Sequence, residues 1–404
     1  MSSSQQKEEK PQLSISSQRR ELWNVWWTAL KLGMTSFGGP TAHLGYFHEV
    51  YVSRKKWMDD KSFADLVALC QFLPGPASSQ VGIGIGAMRA GVWGAIIAWA
   101  GFTLPSVLLL VAFAFMMHTF DMAASGWLHG LKLVAVAVVA HAVMGMGSKL
   151  ANGRLQASVA FAAMAAVLLW QTPWIQVAVI GAAGLAGLLL FRQEPPVTDK
   201  IETFRIGYKT GIVCLVLFAV LLIALPVAQL LSGNEWIAIM DSFYRTGSLV
   251  FGGGHVVLPL LETEMMQNGW MSQEEFITGY GATQAVPGPL FTFAGYLGAL
   301  IHGVPGAVVA VLAVFLPGFL LVIGVMPFWN LFRRSARLQR VMSGMNAAVV
   351  GILFAALYDP IWKSSVTSPI EFIMAAGLFV LLTVFKTPPW VVVVIGAATG
   401  QLVL

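Results

Sequence analysis

Charged residues are scarce in this chain. Only 11% of its 404 residues are Asp, Glu, Lys or Arg, whereas 57% are hydrophobic. Soluble domains carry about a quarter charged residues, so the composition excludes a water-soluble fold. Apolar runs such as 92–117 and 206–231 reach the roughly 20 residues that cross a bilayer. The net charge of +5 comes from basic residues in short loops between apolar runs, which indicates a membrane protein without a nucleic-acid partner.

Cysteine is equally rare, and the motifs of several enzyme classes are missing. Cys70 and Cys214 both lie in apolar segments, so a disulfide framework and a cysteine metal cluster are excluded. His48-Glu49 lacks the second histidine of a zinc helix, and the sequence has no Gly-x-x-x-x-Gly-Lys phosphate loop. We therefore expect no enzyme, no metal, no cofactor and no ATP hydrolysis. An intramembrane enzyme is a competing hypothesis without a catalytic constellation to support it, which leaves secondary or passive transport.

The sequence contains an internal repeat with an offset of about 214 residues. Shared apolar bias does not place the same distinctive motifs in the same order twice, so the pattern predicts a duplication. The paired motifs are Phe37-Gly38-Gly39 with Phe251-Gly252-Gly253, Trp57-Met58 with Trp270-Met271, Pro74-Gly75-Pro76 with Pro287-Gly288-Pro289, and Leu104-Pro105 with Leu316-Pro317.

The basic loops change sides between the two copies. Arg54, Lys55 and Lys56 follow the first motif, whereas the matching stretch 262–275 has four glutamates and no Lys or Arg. The stretch 118–130 also has no Lys or Arg, and its counterpart carries four arginines, namely Arg333, Arg334, Arg337 and Arg340. Because basic loops stay in the cytoplasm, this exchange predicts an inverted-topology repeat. The extra apolar run 206–231 would be the helix that inverts the second copy.

The Gly/Pro motifs predict breaks at membrane depth. We interpret 22–52 and 63–89 as re-entrant hairpins, with counterparts near 234–266 and 276–302, whose arms of about 10 to 15 residues are too short to span the bilayer. Asp59, and Ser272 with Glu275, have the pattern of helix N-caps. The fold is then an all-α polytopic membrane protein with about nine full spans and four hairpins, or about 11–13 spans if the arms cross fully. The predicted spans lie near 91–117, 130–149, 155–170, 173–191, 206–231, 304–329, 339–358, 369–385 and 388–404.

These features divide the chain into four parts. Residues 1–20 form a polar cytoplasmic tail in which we expect no cleavable signal peptide. Residues 21–191 form the first transport repeat, 192–233 a basic linker with the inverting helix, and 234–404 the second, inverted repeat. The charge pattern places the N-terminus in the cytoplasm.

The Gly/Pro tips are candidate anion-binding elements. Each tip begins a helix, whose free N–H groups and partial positive charge attract anions. Non-helical backbone at membrane depth survives only inside protein or beside water, so we expect the tips to meet near the midplane; the alternative is that they only permit close helix packing. The predicted substrate-binding residues at the tips are Gly38, Gly39, Thr41, Gly75, Ser78 and Ser79 in the first copy and Gly252, Gly253, His255, Gly288 and Thr292 in the second.

Charged and amide side chains in matching positions extend this prediction. Lys31 and Arg245 each lie six residues before a Phe-Gly-Gly motif; an intramembrane charge indicates a functional site, although a long side chain can also snorkel to the interface. Gln71 and Gln284 also match, and their amides either donate to the oxyanion or hydrogen-bond neighbouring helices. Glu49, Glu262 and His141 are candidates for carrying coupling protons. The alternatives are that the two carboxylates are solvated and that the histidine packs in the core.

The double Phe-Gly-Gly and Pro-Gly-Pro pattern resembles the chromate ion transporter family in its long-chain, two-domain form. The resemblance covers nearly the whole chain, from Phe37-Gly38-Gly39-Pro40 to Pro287-Gly288-Pro289, but the second copy has Gly254 where the first has Pro40. It implies export of chromate across the bacterial inner membrane, dependence on the proton-motive force and chromate resistance. A general sulfate or oxyanion transporter and an anion channel are the alternatives, and a homodimer is compatible with the sequence.

Overall fold

The computed structural model describes residues 15–37, 39–120, 126–170, 175–191, 206–251, 254–329 and 335–404. Every regular element within these ranges is a helix, which confirms an all-α membrane protein. Five of these helical stretches are long and apolar enough to cross a bilayer: Ala77–Met117, Gly126–Leu150, Tyr208–Ser232, Leu290–Phe328 and Ala336–Ser365. Shorter apolar helices accompany them, so the number of full spans stays a prediction.

Within the described residues, the first half of the chain contains seven α-helices. A π-helical turn, His48–Arg54, follows the second of them. The helices are α1 (Ile15–Thr35), α2 (Gly39–Phe47), α3 (Asp60–Phe72), α4 (Ala77–Phe120), α5 (Gly126–Leu150), α6 (Arg154–Leu169) and α7 (Ile175–Leu190).

The second half repeats this order of elements after one additional helix. That additional helix is α8 (Tyr208–Ser232), which lies in the run that the sequence analysis assigned to an inverting span. The others are α9 (Glu235–Leu249), α10 (Val257–Gln267), α11 (Gln273–Thr283), α12 (Phe293–Val325), α13 (Ala336–Ala356), α14 (Pro369–Thr383) and α15 (Pro389–Val403). The inverted orientation and the domain boundaries remain predictions.

The long helices α4 and α12 are broken at matching positions. Ala90 and Gly91 have φ/ψ of −137°/26° and 64°/−154°, and His302 and Gly303 have −139°/33° and 61°/−147°. A positive φ of this kind favours glycine. The breaks separate a short arm from a long helix, as the predicted hairpins require. The first arm differs from the prediction, because α1 has 21 residues and begins at Ile15, before the expected start.

An acidic residue at the start of each copy pairs with a basic residue at each break. Glu21 Oε2 lies 2.5 Å from Arg89 Nη2, and Glu235 Oε2 lies 3.1 Å from His302 Nε2. The pairs link α1 to α4 and α9 to α12. The two pairs occupy equivalent positions, but the Arg89 pair is always ionic whereas the His302 pair is ionic only when the imidazole is protonated.

Glycine allows these same helix pairs to pack closely. A Cβ on Gly33 would lie 2.7 Å from the Phe102 carbonyl, and a Cβ on Gly247 would collide with the Val314 carbonyl. Small residues let backbones approach in this way at membrane helix interfaces. This contact explains the glycine two residues after Lys31 and Arg245 in the repeated sequence.

The predicted helix caps are confirmed. Asp59 Oδ1 accepts a hydrogen bond from the Ser62 N–H at 2.7 Å, and Ser272 and Glu275 form a capping box. These caps fix the starts of α3 and α11, the helices that lead into the two Pro-Gly-Pro loops.

Candidate oxyanion site at the crossed loops

The two halves exchange hydrogen bonds between their loops. The Gly75 N–H donates to the Val250 carbonyl at 2.7 Å, and the Gly288 N–H donates to the Ser36 carbonyl at 2.8 Å. Ser36 and Val250 end the helical arms before the two Phe-Gly-Gly motifs. Each Pro-Gly-Pro loop therefore contacts the other copy, and the structure brings loops of both copies together. We call the pair Ser36–Gly288 the first crossing and the pair Val250–Gly75 the second crossing.

Glycine is required at the centre of both Pro-Gly-Pro loops. Gly75 has φ +116° and Gly288 has φ +103°, a region that L-residues rarely adopt. A Cβ on Gly288 would also collide with Ser106 Oγ, and one on Gly75 would lie 3.2 Å from Gly318 Cα. Both loops are thus held in one conformation against a helix of the opposite copy.

Polar side chains of the first copy hold the loop carbonyls. Gln80 Nε2 donates to the Pro74 carbonyl at 2.8 Å and to the Gly318 carbonyl at 3.3 Å. Ser106 Oγ donates a short hydrogen bond to the Pro287 carbonyl. Ser106 and Gly318 follow the repeated Leu-Pro pairs, so these kinked helices support the loops of the opposite copy.

A buried histidine lies beside the first crossing. His43 is 1% exposed, its Nδ1 is 3.2 Å from Ser78 Oγ, and its ring lies beside the Ser36 backbone. The ring also makes an edge contact with Phe102 at a centroid distance of 5.4 Å. His43 therefore connects α2, the N-terminus of α4 and the crossing.

Several buried polar atoms near these loops have no partner within the described part of the chain. Buried polar groups are normally hydrogen-bonded, and leaving one unpaired costs about 1–3 kcal/mol. The set indicates a site that receives hydrogen-bond acceptors from outside the chain. These atoms are Ser36 Oγ, His43 Nε2, Ser79 Oγ, Thr103 Oγ1 and Gln284 Nε2.

The two crossings differ in polarity. At the repeat offsets, Ser36 and His43 correspond to Val250 and Val257, and Thr103 corresponds to Phe315. The second crossing therefore presents apolar side chains where the first presents hydroxyls and an imidazole. At these three matched positions the polar side chains belong to the first copy, so we take the first crossing as the candidate oxyanion site.

The predicted cations Lys31 and Arg245 lie in different environments. Lys31 is exposed and its Nζ is 5.5 Å from the centre of the Trp27 ring. Arg245 is largely buried and binds Glu264 Oε1 at 2.8 Å and Asp241 Oδ2 at 2.7 Å. Trp27 and Asp241 occupy matching positions, each four residues before the cation. The same spacing therefore gives a cation–π contact in the first copy and a salt bridge in the second. The two cations do not form an equivalent pair.

The other predicted residues fall into three groups. Ser78, Ser79, Gly75, Gly288 and Gln284 belong to the crossed loops or their flanks, whereas Gln71 is exposed. Thr292 Oγ1 donates to the Pro289 carbonyl at 2.7 Å, and His255 Nδ1 lies 2.6 Å from the Tyr280 hydroxyl. Gly39 has φ +77°. Gly38, Gly252, Gly253 and the Thr41 side chain lie outside the described residues.

The predicted coupling residues lie in different surroundings. Glu49 is exposed and pairs with Arg54 at 2.8 Å, which fits the solvated alternative. His141 is exposed rather than packed in the core. Glu262 lines a cavity that is described below.

Substitutions at Arg245 separate a salt-bridge role from a substrate role. Arg245→Gln is expected to lower the free energy of unfolding by about 3–5 kcal/mol, because it leaves the carboxylates of Asp241 and Glu264 without their cationic partner. We expect Arg245→Gln with Asp241→Asn and Glu264→Gln to restore the amount of folded protein in the membrane. If transport returns as well, Arg245 has only a structural role; folded but inactive protein would instead support substrate binding.

Sequence analysis missed the histidine and hydroxyls that line the first crossing. Ser36, His43, Thr103 and Ser106 do not belong to the repeated motifs, which consist mainly of glycine, proline and aromatic residues. A difference between the copies could have identified these positions: each is a polar residue in an apolar segment, and its counterpart in the second copy is apolar or glycine. Such positions mark where the two copies have separate roles.

Comparison with known proteins agrees with this duplicated architecture. A family model described as Chromate transporter matches residues 23–188 and again residues 237–401. The Chromate transport protein of Cupriavidus metallidurans (strain CH34) is 27% identical over 93% of this chain and 91% of its own length. The Chromate transport protein of Pseudomonas aeruginosa is 28% identical over 91% of this chain and 89% of its own length.

A half-length relative matches one copy. The Uncharacterized transporter YwrB of Bacillus subtilis (strain 168) is 32% identical over 39% of this chain and 81% of its own length. No solved structure matches the chain. Because the family model covers both copies, and full-length relatives match almost end to end, the chain belongs to the chromate transporter family.

Proposed function

We propose that this protein exports chromate from the cytoplasm across the bacterial inner membrane and thereby confers chromate resistance. The observation that carries the proposal is the set of buried polar atoms without partners among the described residues at the first crossing, where His43 contacts Ser78 in the first turn of α4. Chromate is a tetrahedral dianion with only acceptor oxygens, so it complements such a set. The names of the full-length relatives support the choice of chromate.

The chemistry of the site follows from its donors. When the Ser78 Oγ–H donates to His43 Nδ1, the neutral imidazole carries its proton on Nε2, and this N–H donates a hydrogen bond to the oxyanion. The hydroxyls of Ser36, Ser79 and Thr103 add neutral donors. The free N–H groups in the first turn of α4 contribute partial positive charge. Hydrogen bonds to a charged acceptor are worth about 1.5–3 kcal/mol each.

The membrane potential favours export of a dianion. Each charge that crosses the membrane is worth about 2.3 kcal/mol per 100 mV. A dianion that leaves a negative interior therefore gains about 4.6 kcal/mol per 100 mV. We propose that this potential, as part of the proton-motive force, drives the transport, with the N-terminus in the cytoplasm.

Flux into inside-out membrane vesicles tests the proposal. We expect radiolabelled chromate to accumulate when a potential, positive inside the vesicle, is imposed, and to saturate with concentration. Sulfate at equal concentration should inhibit weakly if the site is selective. Equal flux of the two ions would indicate a general oxyanion carrier, ohmic single-channel currents would indicate a channel, and absence of chromate flux would contradict the proposal.

A further inference from the structure

A polar cavity is lined by residues that do not belong to the crossed loops. It has a volume of about 260 Å³ and lies between the C-terminal end of α6, α7, α10, the C-terminal end of α13 and the π-helical turn Leu357–Trp362 that follows. Its polar lining includes Gln176, Glu262, Thr263 and Asp359. A water molecule takes up about 30 Å³ of liquid, so the cavity has room for a small hydrated ion.

Oxygen atoms dominate the polar lining. Gln176 is 6% exposed, and its Nε2 donates to Thr263 Oγ1 at 2.9 Å and to the Pro259 carbonyl at 3.2 Å. Both N–H groups are thus engaged, whereas Gln176 Oε1 is buried and has no partner in the described ranges. This amide oxygen, together with the carboxylates, supplies ligands of the type that hard cations prefer.

The charges around the cavity do not balance. Asp359 pairs with Lys363 at 2.5 Å. The contact described for Glu262 is a 3.4 Å hydrogen bond from the neutral Gln273 on α11, and Asp359 repels it electrostatically. Among the described residues, these two carboxylates and one ammonium leave one negative charge at the cavity. A buried carboxylate without a cationic partner takes up a proton or binds a cation.

We propose that this cavity is a binding site for one monovalent cation, a proton or Na⁺, held at Glu262 with Gln176 Oε1 and Thr263 Oγ1 as neutral ligands. Coupling of this cation to chromate flux rests on the proposed function. Binding of the cation is independent of the proposed function, because it follows from the charge and the unpartnered amide oxygen of the cavity.

The binding test uses the purified full-length protein without chromate. The melting temperature is measured as NaCl replaces choline chloride at constant ionic strength, and then in choline chloride over pH 5.5 to 8.5. We expect Na⁺, or a falling pH, to raise the melting temperature of the wild type. Glu262→Gln should abolish that response, and Gln176→Leu should shift the Na⁺ midpoint, or weaken the pH response, by about 10-fold.

Asp60→Asn provides the matched control, because Asp60 is an exposed carboxylate far along the chain from the cavity. It should keep the wild-type response to Na⁺ at constant pH. A response to Na⁺ identifies sodium, and a response to pH alone that Glu262→Gln removes identifies the proton. No response in the wild type, or an unchanged response in Glu262→Gln, would overturn the proposal.

A transport test separates coupling from chromate transport itself. In proteoliposomes, lumenal pyranine and ²²Na⁺ report proton and sodium movement while chromate flows. We expect Glu262→Gln to retain exchange of chromate for chromate and to lose the cation flux. If the wild type transports no chromate, the proposed function is wrong, and the binding test still shows whether the cavity binds a cation. If Glu262→Gln keeps its cation flux, the proposal that this site couples the cation to chromate is wrong.

Discussion

Replacing His43 with leucine is expected to reduce chromate flux by about 10-fold to 100-fold while the amount of protein in the membrane stays close to normal. Leucine fills the buried volume but removes an N–H donor to a charged acceptor, which is worth about 1.5–3 kcal/mol. It also leaves Ser78 Oγ without its partner. The measurement is initial chromate uptake into inside-out vesicles, normalised to the protein detected in the same membranes.

A second substitution and a control make this result specific. His43→Gln keeps an N–H donor of similar reach and should retain more flux than His43→Leu. His48→Gln, a histidine on the π-helical turn that pairs with the exposed Asp60 at 2.6 Å, should transport normally. Normal flux in His43→Leu would remove the first crossing from the substrate path.

Replacing Gly288 with alanine is expected to destabilise the protein and to abolish transport. At φ +103° an L-residue is strained by about 1–3 kcal/mol, and its Cβ would collide with Ser106 Oγ. Relief of the collision would displace the Gly288 N–H from the Ser36 carbonyl and disrupt the first crossing. The melting temperature in detergent, followed by tryptophan fluorescence, measures the first effect and vesicle uptake measures the second.

Two further variants separate strain from collision. Gly288→Ala with Ser106→Gly removes the collision but keeps the unfavourable φ, so we expect partial recovery of the melting temperature. Gly377→Ala lies in α14, where no atom would approach the new Cβ within 4 Å. It should be neutral or stabilise by up to about 1 kcal/mol. An unchanged melting temperature in Gly288→Ala would contradict the requirement for glycine.

Much of the fold followed from the sequence because its signals are local. The length of the apolar runs predicted the long helices, and Asp59 and Ser272 predicted the starts of α3 and α11. The paired Gly/Pro motifs predicted the loops that follow these two helices. The extent of α1 was wrong, because the polar residues before Leu22 continue the helix without an apolar signal. Orientation across the membrane depends on loop charge and stays a prediction.

The candidate site was predicted only in part because it depends on contacts between distant residues. The loop glycines carry a motif, but the acceptors of their N–H groups are carbonyls of ordinary residues, Ser36 and Val250, in the opposite copy. Arg245 matches Lys31 in position, yet its role is set by Glu264, which lies 19 residues away on another helix. Repeat symmetry predicts backbone geometry better than side-chain partners, since the copies share one backbone and have different side chains.

The crossed hydrogen bonds also impose an order on biosynthesis. Gly75 is synthesised 175 residues before its acceptor Val250 (250 − 75). The interval between Ser36 and Gly288 is longer still. At 5–20 residues per second, the first copy is inserted for roughly 10 to 35 seconds before its loop can find a partner. During that time the Gly75 N–H lacks its acceptor, so the first copy completes its hydrogen bonds only when the second has been synthesised.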